Sequence, residues 1–264
     1  MEHEISLWSL YTWTEVEERA SRLIAILPTG SIEQHGKCLP LGTDCLIVTR
    51  LIDETLKNLS KYRDEIIILP PLCYGCSEMW SGNPGTITID LKTFIDLISQ
   101  ILHSIIKSSI KKVIILNGHA GNSEPLIVAI RNALNTHSAK DTHIYLINWW
   151  DLVNDIIDEI MGTEYHFMHA DEIETSVALA LDIPVKCICE EVEKPIRPLI
   201  GSKWYAKKFY EIPKIRGFTY EAKKYSSGCF GSPMKASRDK GKKIVEEFVE
   251  RFINFINYVK RPGN

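Results

Sequence analysis

Four side chains able to bind a metal ion lie in two glycine-rich stretches. The first runs Gly30-Ser31-Ile32-Glu33-Gln34-His35-Gly36 and continues through Leu39-Pro40-Leu41-Gly42-Thr43-Asp44. The second is Asn117-Gly118-His119-Ala120-Gly121-Asn122. Glu33, Asp44, His35 and His119 are two carboxylates and two imidazoles, a set that suits a divalent ion. An Asp has two oxygens and can bridge a pair of ions. A bridging water then loses its proton near neutral pH, and an ion polarises a carbonyl, which is the apparatus of a hydrolase. A third stretch, His169-Ala170-Asp171-Glu172-Ile173-Glu174-Thr175-Ser176, reads as the start of a helix, where acidic residues suit the helix dipole. A well-capped helix is its plain explanation. The functional one turns His169 and a Glu toward the other stretches. Glu174 then completes a set of five ligands, which leaves positions for water. His169, with an ordinary pKa of about 6.5, gives a proton to a leaving nitrogen. Each stretch alone is weak, because a lone His at a strand end usually makes only a structural hydrogen bond.

These stretches act together only if the fold brings them to one edge. Leu23–Leu27, Glu65–Leu69, Lys112–Leu116 and His143–Asn148 are short apolar runs that predict strands, and Val185–Cys189 predicts a fifth. Helical spacing predicts helices over Asp44–Leu59 with Thr43 as N-cap, Leu91–Ile110 capped by Asp90, and Ser123–Thr136 with Pro125 in its first turn. Asp151–Met161, Asp171–Leu181 and Arg238–Val259 complete the set. The alternation predicts one α/β domain over residues 1–264, three layers (α/β/α) around a mostly parallel sheet. Ligands bind beyond the carboxyl ends of such strands, which is where the glycine-rich stretches begin. Trp149-Trp150 follows the fourth strand at the same edge and offers a wall for a flat substrate. Tyr165 and His166, just upstream of His169, are further candidates to face it.

The 264 residues are 45% hydrophobic and 25% charged, as in an ordinary globular protein. The 31 Lys plus Arg against 34 Asp plus Glu argue against a nucleic-acid face; only Lys203–Lys224 is locally basic, and it reads as a solvated surface. Residues 1–18 lack a secretory apolar region, and no run approaches the about 18 apolar residues of a spanning helix. The expectation is a soluble, cytoplasmic chain without membrane contact. Seven cysteines fit a reducing compartment. Cys73-x-x-Cys76 follows a strand as a redox pair would, but Ser81–Gly85 reads as loop where such a pair needs a helix. Cys187-x-Cys189 reads as buried filler.

Five segments together resemble the creatininase (creatinine amidohydrolase) superfamily. They are PTGSIEQHGKCLPLGTD (Pro28–Asp44), NPGTITI (Asn83–Ile89), LNGHAGN (Leu116–Asn122), HADEIETS (His169–Ser176) and SGCFGSPMKAS (Ser227–Ser237), in the family's order. The resemblance implies a three-layer fold, two divalent ions (Zn, Mn or Fe), a small-molecule amide substrate and a homo-oligomer, commonly a hexamer. It implies Glu33 and His119 on one ion, His35 on the second, Asp44 between them, and His169 as proton donor. In creatininase itself a second-ion Glu stands where this chain has Gly121. That argues against creatinine as substrate and makes Glu174 the replacement ligand, with Glu172 the alternative. The pattern also departs at Lys37-Cys38 (usually Pro-His), Trp80 (usually His), Asn83 (usually Phe) and Asp171 (usually Gly), positions that place the change around the mouth of the pocket. One branch of the family deformylates a formylamino-ribosylaminopyrimidinone monophosphate, whose phosphate Lys37 could hold. A non-catalytic, ligand-binding member and a two-metal phosphoesterase are the competing classes.

Overall fold

The computed structural model describes residues 7–136, 139–161, 169–187, 228–229 and 232–261. Among the described residues four parallel strands form a sheet: β1 (Ile24–Thr29), β2 (Ile66–Ile68), β3 (Lys112–Asn117) and β4 (His143–Asn148), in the order β2-β1-β3-β4. All six residues of β1 are buried, which explains its unbroken apolar run. Its alternate side chains feed two cores. Ile24 and Ile26 face one side with α2 (Thr43–Asn58), α6 (Glu172–Ala180) and α7 (Arg238–Val259). Ala25 and Leu27 face the other with α1 (Trp13–Arg19), α3 (Leu91–Lys107) and α4 (Ser123–Leu134). Phe248 and Phe252 of α7 are wholly buried, each burial contributing about 1.5–3 kcal/mol. This is the expected α/β/α arrangement.

The register sets the functional edge. Thr29 pairs with Asn117, and Asn117 with Asn148, so three strands end level. Their side chains knit the ends together: Thr29 Oγ1 donates to Asn117 Oδ1 (3.0 Å), and Asn117 Nδ2 to Asn148 Oδ1 (2.8 Å).

Several expectations need correction. Val185, Lys186 and Cys187 form no strand, and residues 188 and 189 lie outside the described residues. Thr43 is the first residue of α2 rather than its cap. Its hydroxyl donates back to the Pro40 carbonyl (2.6 Å), so Gly42 takes the cap position without a side-chain bond. The helix expected from Asp151 begins earlier, as a 3₁₀ turn over Trp149–Val153 that runs into α5 (Asn154–Met161). Helix α1 was not expected, although Thr12 and Glu15 form a capping box at its start.

The cysteines depart most from expectation. Cys38 pairs with Cys187 and Cys45 with Cys73, with Cα separations of 4.9 and 5.7 Å that suit disulfides. Cys187 is exposed rather than buried filler. Cys73 bonds to Cys45 rather than to Cys76, which is free and buried. The pairs lie 149 and 28 residues apart in sequence, so spacing gives no sign of them. Among the described residues no helix is long and apolar enough to cross a membrane.

Candidate metal centre

The loop after β1 turns back on itself through a bond from the Glu33 amide to the Leu41 carbonyl (2.9 Å), which faces Glu33 and His35 inward toward the start of α2. His35 Nδ1 donates to the Glu33 carbonyl (3.1 Å), and this leaves Nε2 at 3.0 Å from Asp44 Oδ1. The loop after β3 supplies His119. Its Nε2 donates to the Cys76 carbonyl (2.8 Å), which aims Nδ1 at Asp44 Oδ2 (3.1 Å) and Glu33 Oε1 (3.4 Å). Gly118 permits this approach, because a Cβ there would lie 2.4 Å from the Asp44 carbonyl oxygen.

The third stretch arrives from α6. Asp171 caps this helix by accepting from the amides of Ile173 (2.9 Å) and Glu174 (3.1 Å). This gives the departure from the usual glycine a structural role: the Asp fixes the turn that presents Glu174. Ala170 holds a left-handed φ of 48°, uncommon for a residue with a side chain, and its amide donates to Glu174 Oε2.

Three donor groups result: Glu33 with Asp44 and His119, His35 with Asp44 and Glu174, and Glu33 with His35 and His169. Within each, the ligand atoms lie within 4.8 Å of one another, and every member is buried. Glu172 stands apart. It is buried but pairs with Lys240 of α7 and belongs to none of these groups.

Burial of three carboxylates demands compensating positive charge. Burial works against a charged His35, but Asp44, Glu174 and Glu33 prevail and lift it to about 10. Burial likewise opposes charge on His119, while Glu33 and Asp44 raise it to about 9. Burial raises Glu33 and pushes Glu174 up to about 8 against the pull of His35. Asp44, despite its burial, is held below the ordinary carboxylate range by His35 and His119. Two imidazolium protons thus supply charge that cations could supply instead. Asp44 Oδ2 points the same way: it is buried and makes no hydrogen bond of normal geometry, although His119 lies beside it. A set of carboxylate and imidazole donors with such an oxygen at its centre fits divalent ions.

His169 differs from the other two histidines. Burial and the charge of His35 hold it well below its ordinary value. Its Nε2 lies 2.8 Å from the Gln34 carbonyl, which can only accept, so Nδ1 carries the lone pair and lies 3.6 Å from Glu33 Oε1. Trp80 stacks on the ring (centroids 4.6 Å apart, planes at 21°), and both rings are buried.

Trp149 and Trp150 are buried in the core beside α7 and meet edge to face, so neither forms an open wall. Lys37 is exposed on the loop between His35 and Asp44. Tyr165 and His166 lie outside the described residues. Three neighbours of the centre were not anticipated. Gln34 Nε2 lies 3.0 Å from His169 Nε2 and donates to the Gly228 carbonyl (3.2 Å). Ser77 Oγ bonds to Ser31 Oγ and lies 3.5 Å from His119 Nε2. Ser31 and Gln34 sit inside the glycine-rich stretch and could have been named from it. Ser77 carries no sequence signal.

A model of the creatininase family, described as creatinine amidohydrolase, matches residues 9–256. The chain belongs to the creatininase family. It is 26% identical over 255 residues to a creatinine amidohydrolase of Pseudomonas putida, covering 90% of this chain and 91% of that one. It is 27% identical over 270 residues to a 3-dehydro-scyllo-inosose hydrolase of Thermotoga maritima (93% and 81% covered). It is also 27% identical over 231 residues to a mycofactocin precursor peptide peptidase of Mycolicibacterium smegmatis (86% and 81% covered). A crystal structure of creatinine amidohydrolase superposes with a TM-score of 0.76 at 23% identity, covering 97% of this chain and 98% of that one. A manganese creatininase gives 0.77 at 24%, with 97% and 99% covered. The fold is therefore that of the creatininases.

Proposed function

We propose that this creatininase-family chain is a divalent-metal-dependent amidohydrolase that cleaves a C–N bond in a small amide or formamide. The observation that carries the reading is the sharing of Asp44 between two buried donor groups from separate elements. Glu33, Asp44 and His119 would hold one ion, and His35, Asp44 and Glu174 a second. Creatininases solved in Mn and Zn-Zn forms support that choice of metals. Ions bound there would polarise the substrate carbonyl and lower the pKa of a bound water. The chain's own proton carrier is His169. Neutral at rest, it accepts a proton at Nδ1 and returns it to the leaving nitrogen. Gln34 and Trp80 keep its ring in place through the transfer, and their burial excludes bulk water from it.

The related proteins are a creatinine amidohydrolase, an inosose hydrolase and a peptide peptidase. Family membership therefore leaves the substrate open, and a panel of substrates decides it. The test is metal analysis after reconstitution with Zn, Mn or Fe, followed by assays on creatinine, short peptides and a formylamino-pyrimidine nucleotide with formate release as readout. Ion-dependent turnover of any of these is expected. Failure to take up any of the three metals overturns the reading, as does a loaded protein that cleaves an aryl phosphate but no amide.

Ion uptake is expected to release protons. Ligand nitrogens and oxygens bind only when deprotonated, and His35, His119 and Glu174 have raised values of about 10, 9 and 8. At pH 7 these groups still hold their protons, so full loading should expel about two or three, and affinity should climb between pH 6 and 8. Calorimetry in buffers of different ionisation heat measures the number. Binding heats that do not change with the buffer would contradict it.

A further inference from the structure

The two disulfides fall where the proposed donor groups are assembled. Cys38 lies between His35 and Asp44, and Cys187 lies on the segment leaving α6, the helix that carries Glu174. The Lys186 amide donates to the Cys38 carbonyl (2.9 Å), so the two segments run together at the bond. Cys38–Cys187 thus fastens the His35 segment to the Glu174 segment. Cys45 directly follows Asp44, and Cys73 shares a loop with Cys76, whose carbonyl orients His119. Cys45–Cys73 fastens Asp44 to the support of His119. Each disulfide therefore spans one of the two groups that share Asp44.

Their accessibility differs. Cys187 is exposed, whereas Cys45 is 5% exposed and packs against Gly30, where a Cβ would lie 2.8 Å from its sulfur. Attack on a disulfide needs access to one sulfur; Cys187 is exposed and Cys73 only half-buried, so the first bond is the more open to a reductant.

We propose that Cys38–Cys187 is a redox-labile positioning disulfide that sets ion affinity in the His35–Asp44–Glu174 half of the centre, and that it is reduced ahead of Cys45–Cys73. This rests on the two-ion reading above. The reductant is a dithiol. One of its thiolates attacks Cys187 Sγ, the S–S bond breaks, and Cys38 leaves as a thiolate and takes a proton. The second thiol of the reductant then displaces Cys187, which leaves as its thiol. Two electrons and two protons pass to the protein, and the reductant becomes a disulfide. Without this tie, α6 and the loop after β1 are no longer held in register, and Glu174 loses its fixed relation to His35.

The test uses the full chain, purified without reductant and loaded with zinc. Dithiothreitol is added, and ion content after desalting is read together with mass-tagged alkylation of each cysteine. Alkylation of Cys38 and Cys187 ahead of Cys45 and Cys73 is expected, with loss of about one of two ions per chain as the first bond opens. A Cys38→Ser/Cys187→Ser variant should bind its second ion about 10- to 100-fold more weakly without reductant. That variant also controls for chelation by the dithiol, because its remaining ion should survive the same treatment. Two ions retained after reduction of Cys38–Cys187 overturn the proposal alone, as does a variant that binds both ions as the parent does. Cys38 and Cys187 found as free thiols before reduction overturn it too. An oxidised chain that takes up no ion overturns the centre itself and this proposal with it.

Discussion

Asp44→Asn is expected to weaken ion binding at both positions by more than about 100-fold and to abolish hydrolysis. Changing a partner that only supports a metal ligand typically costs 10- to 100-fold, and Asp44 is proposed as a ligand to both ions, so its loss should exceed that range. The geometry gives the reason. Oδ1 lies 3.0 Å from His35 Nε2 and Oδ2 3.1 Å from His119 Nδ1, so the carboxylate sits between the two donor groups. Asn keeps the shape but gives up the charge, and its amide nitrogen cannot act as a ligand. The change also removes the main support for the raised values of His35, so the variant should hold fewer protons at neutral pH. Glu174→Gln is the comparison. Glu174 shares a group with His35 and Asp44 only, so one ion should be lost and the other kept. Metal analysis of the two purified variants, with circular dichroism as the check on folding, separates these outcomes. An Asp44→Asn protein that retained both ions would remove Asp44 from its bridging role.

What the sequence could reveal follows from how local each signal is. Strands β1, β2 and β3 were legible as short apolar runs buried on both faces, as all six residues of β1 show, whereas β4 is mostly half-buried and was legible from its apolar run alone. The meeting of Glu33, His35, Asp44 and His119 was legible because the rule that loops gather at carboxyl strand ends depends only on strand direction. Helical pattern alone does not separate Glu174 from Glu172, since both lie in the first turn of one helix, and the preference for Glu174 came from the resemblance. In the fold Glu172 pairs with Lys240, 68 residues further on, while Glu174 joins a donor group. The disulfides were hidden for the same reason, each bond joining segments that only the tertiary fold brings together. The two tryptophans after β4 misled because position at the right edge says nothing of which way a side chain turns. Helix packing around α7 drew both into the core. Asp171 looked like a change in the pocket, and its carboxylate is occupied in capping α6.

Gly121 gives the sharpest steric prediction. The family resemblance puts a ligand Glu at this position, so restoring the Glu would be expected to strengthen the centre. The structure predicts the opposite. A Cβ at Gly121 would lie 2.3 Å from the Cys76 carbonyl oxygen and 2.5 Å from His119 Nε2. Real Cβ atoms do not approach so closely, and neither neighbour is the free end of a flexible chain. The Cys76 backbone amide donates a hydrogen bond to Asn122 Oδ1 (3.0 Å), and the Cys76 carbonyl accepts one from the His119 ring (2.8 Å). Any side chain must therefore push apart the bond that aims His119 at Asp44 and Glu33. Gly121→Ala should cost about 1–3 kcal/mol of stability through overpacking. It should also weaken the ion held by Glu33, Asp44 and His119 by at least about tenfold, because His119 loses the carbonyl that fixes its orientation. Gly121→Glu should do the same or worse, its carboxylate notwithstanding. Thermal unfolding of the ion-free proteins reads the first effect, and zinc titration of the folded ones reads the second. A Gly121→Glu chain that bound its second ion more tightly than the parent would show that this loop can open, and that Glu174 is not the ligand that replaces the missing carboxylate.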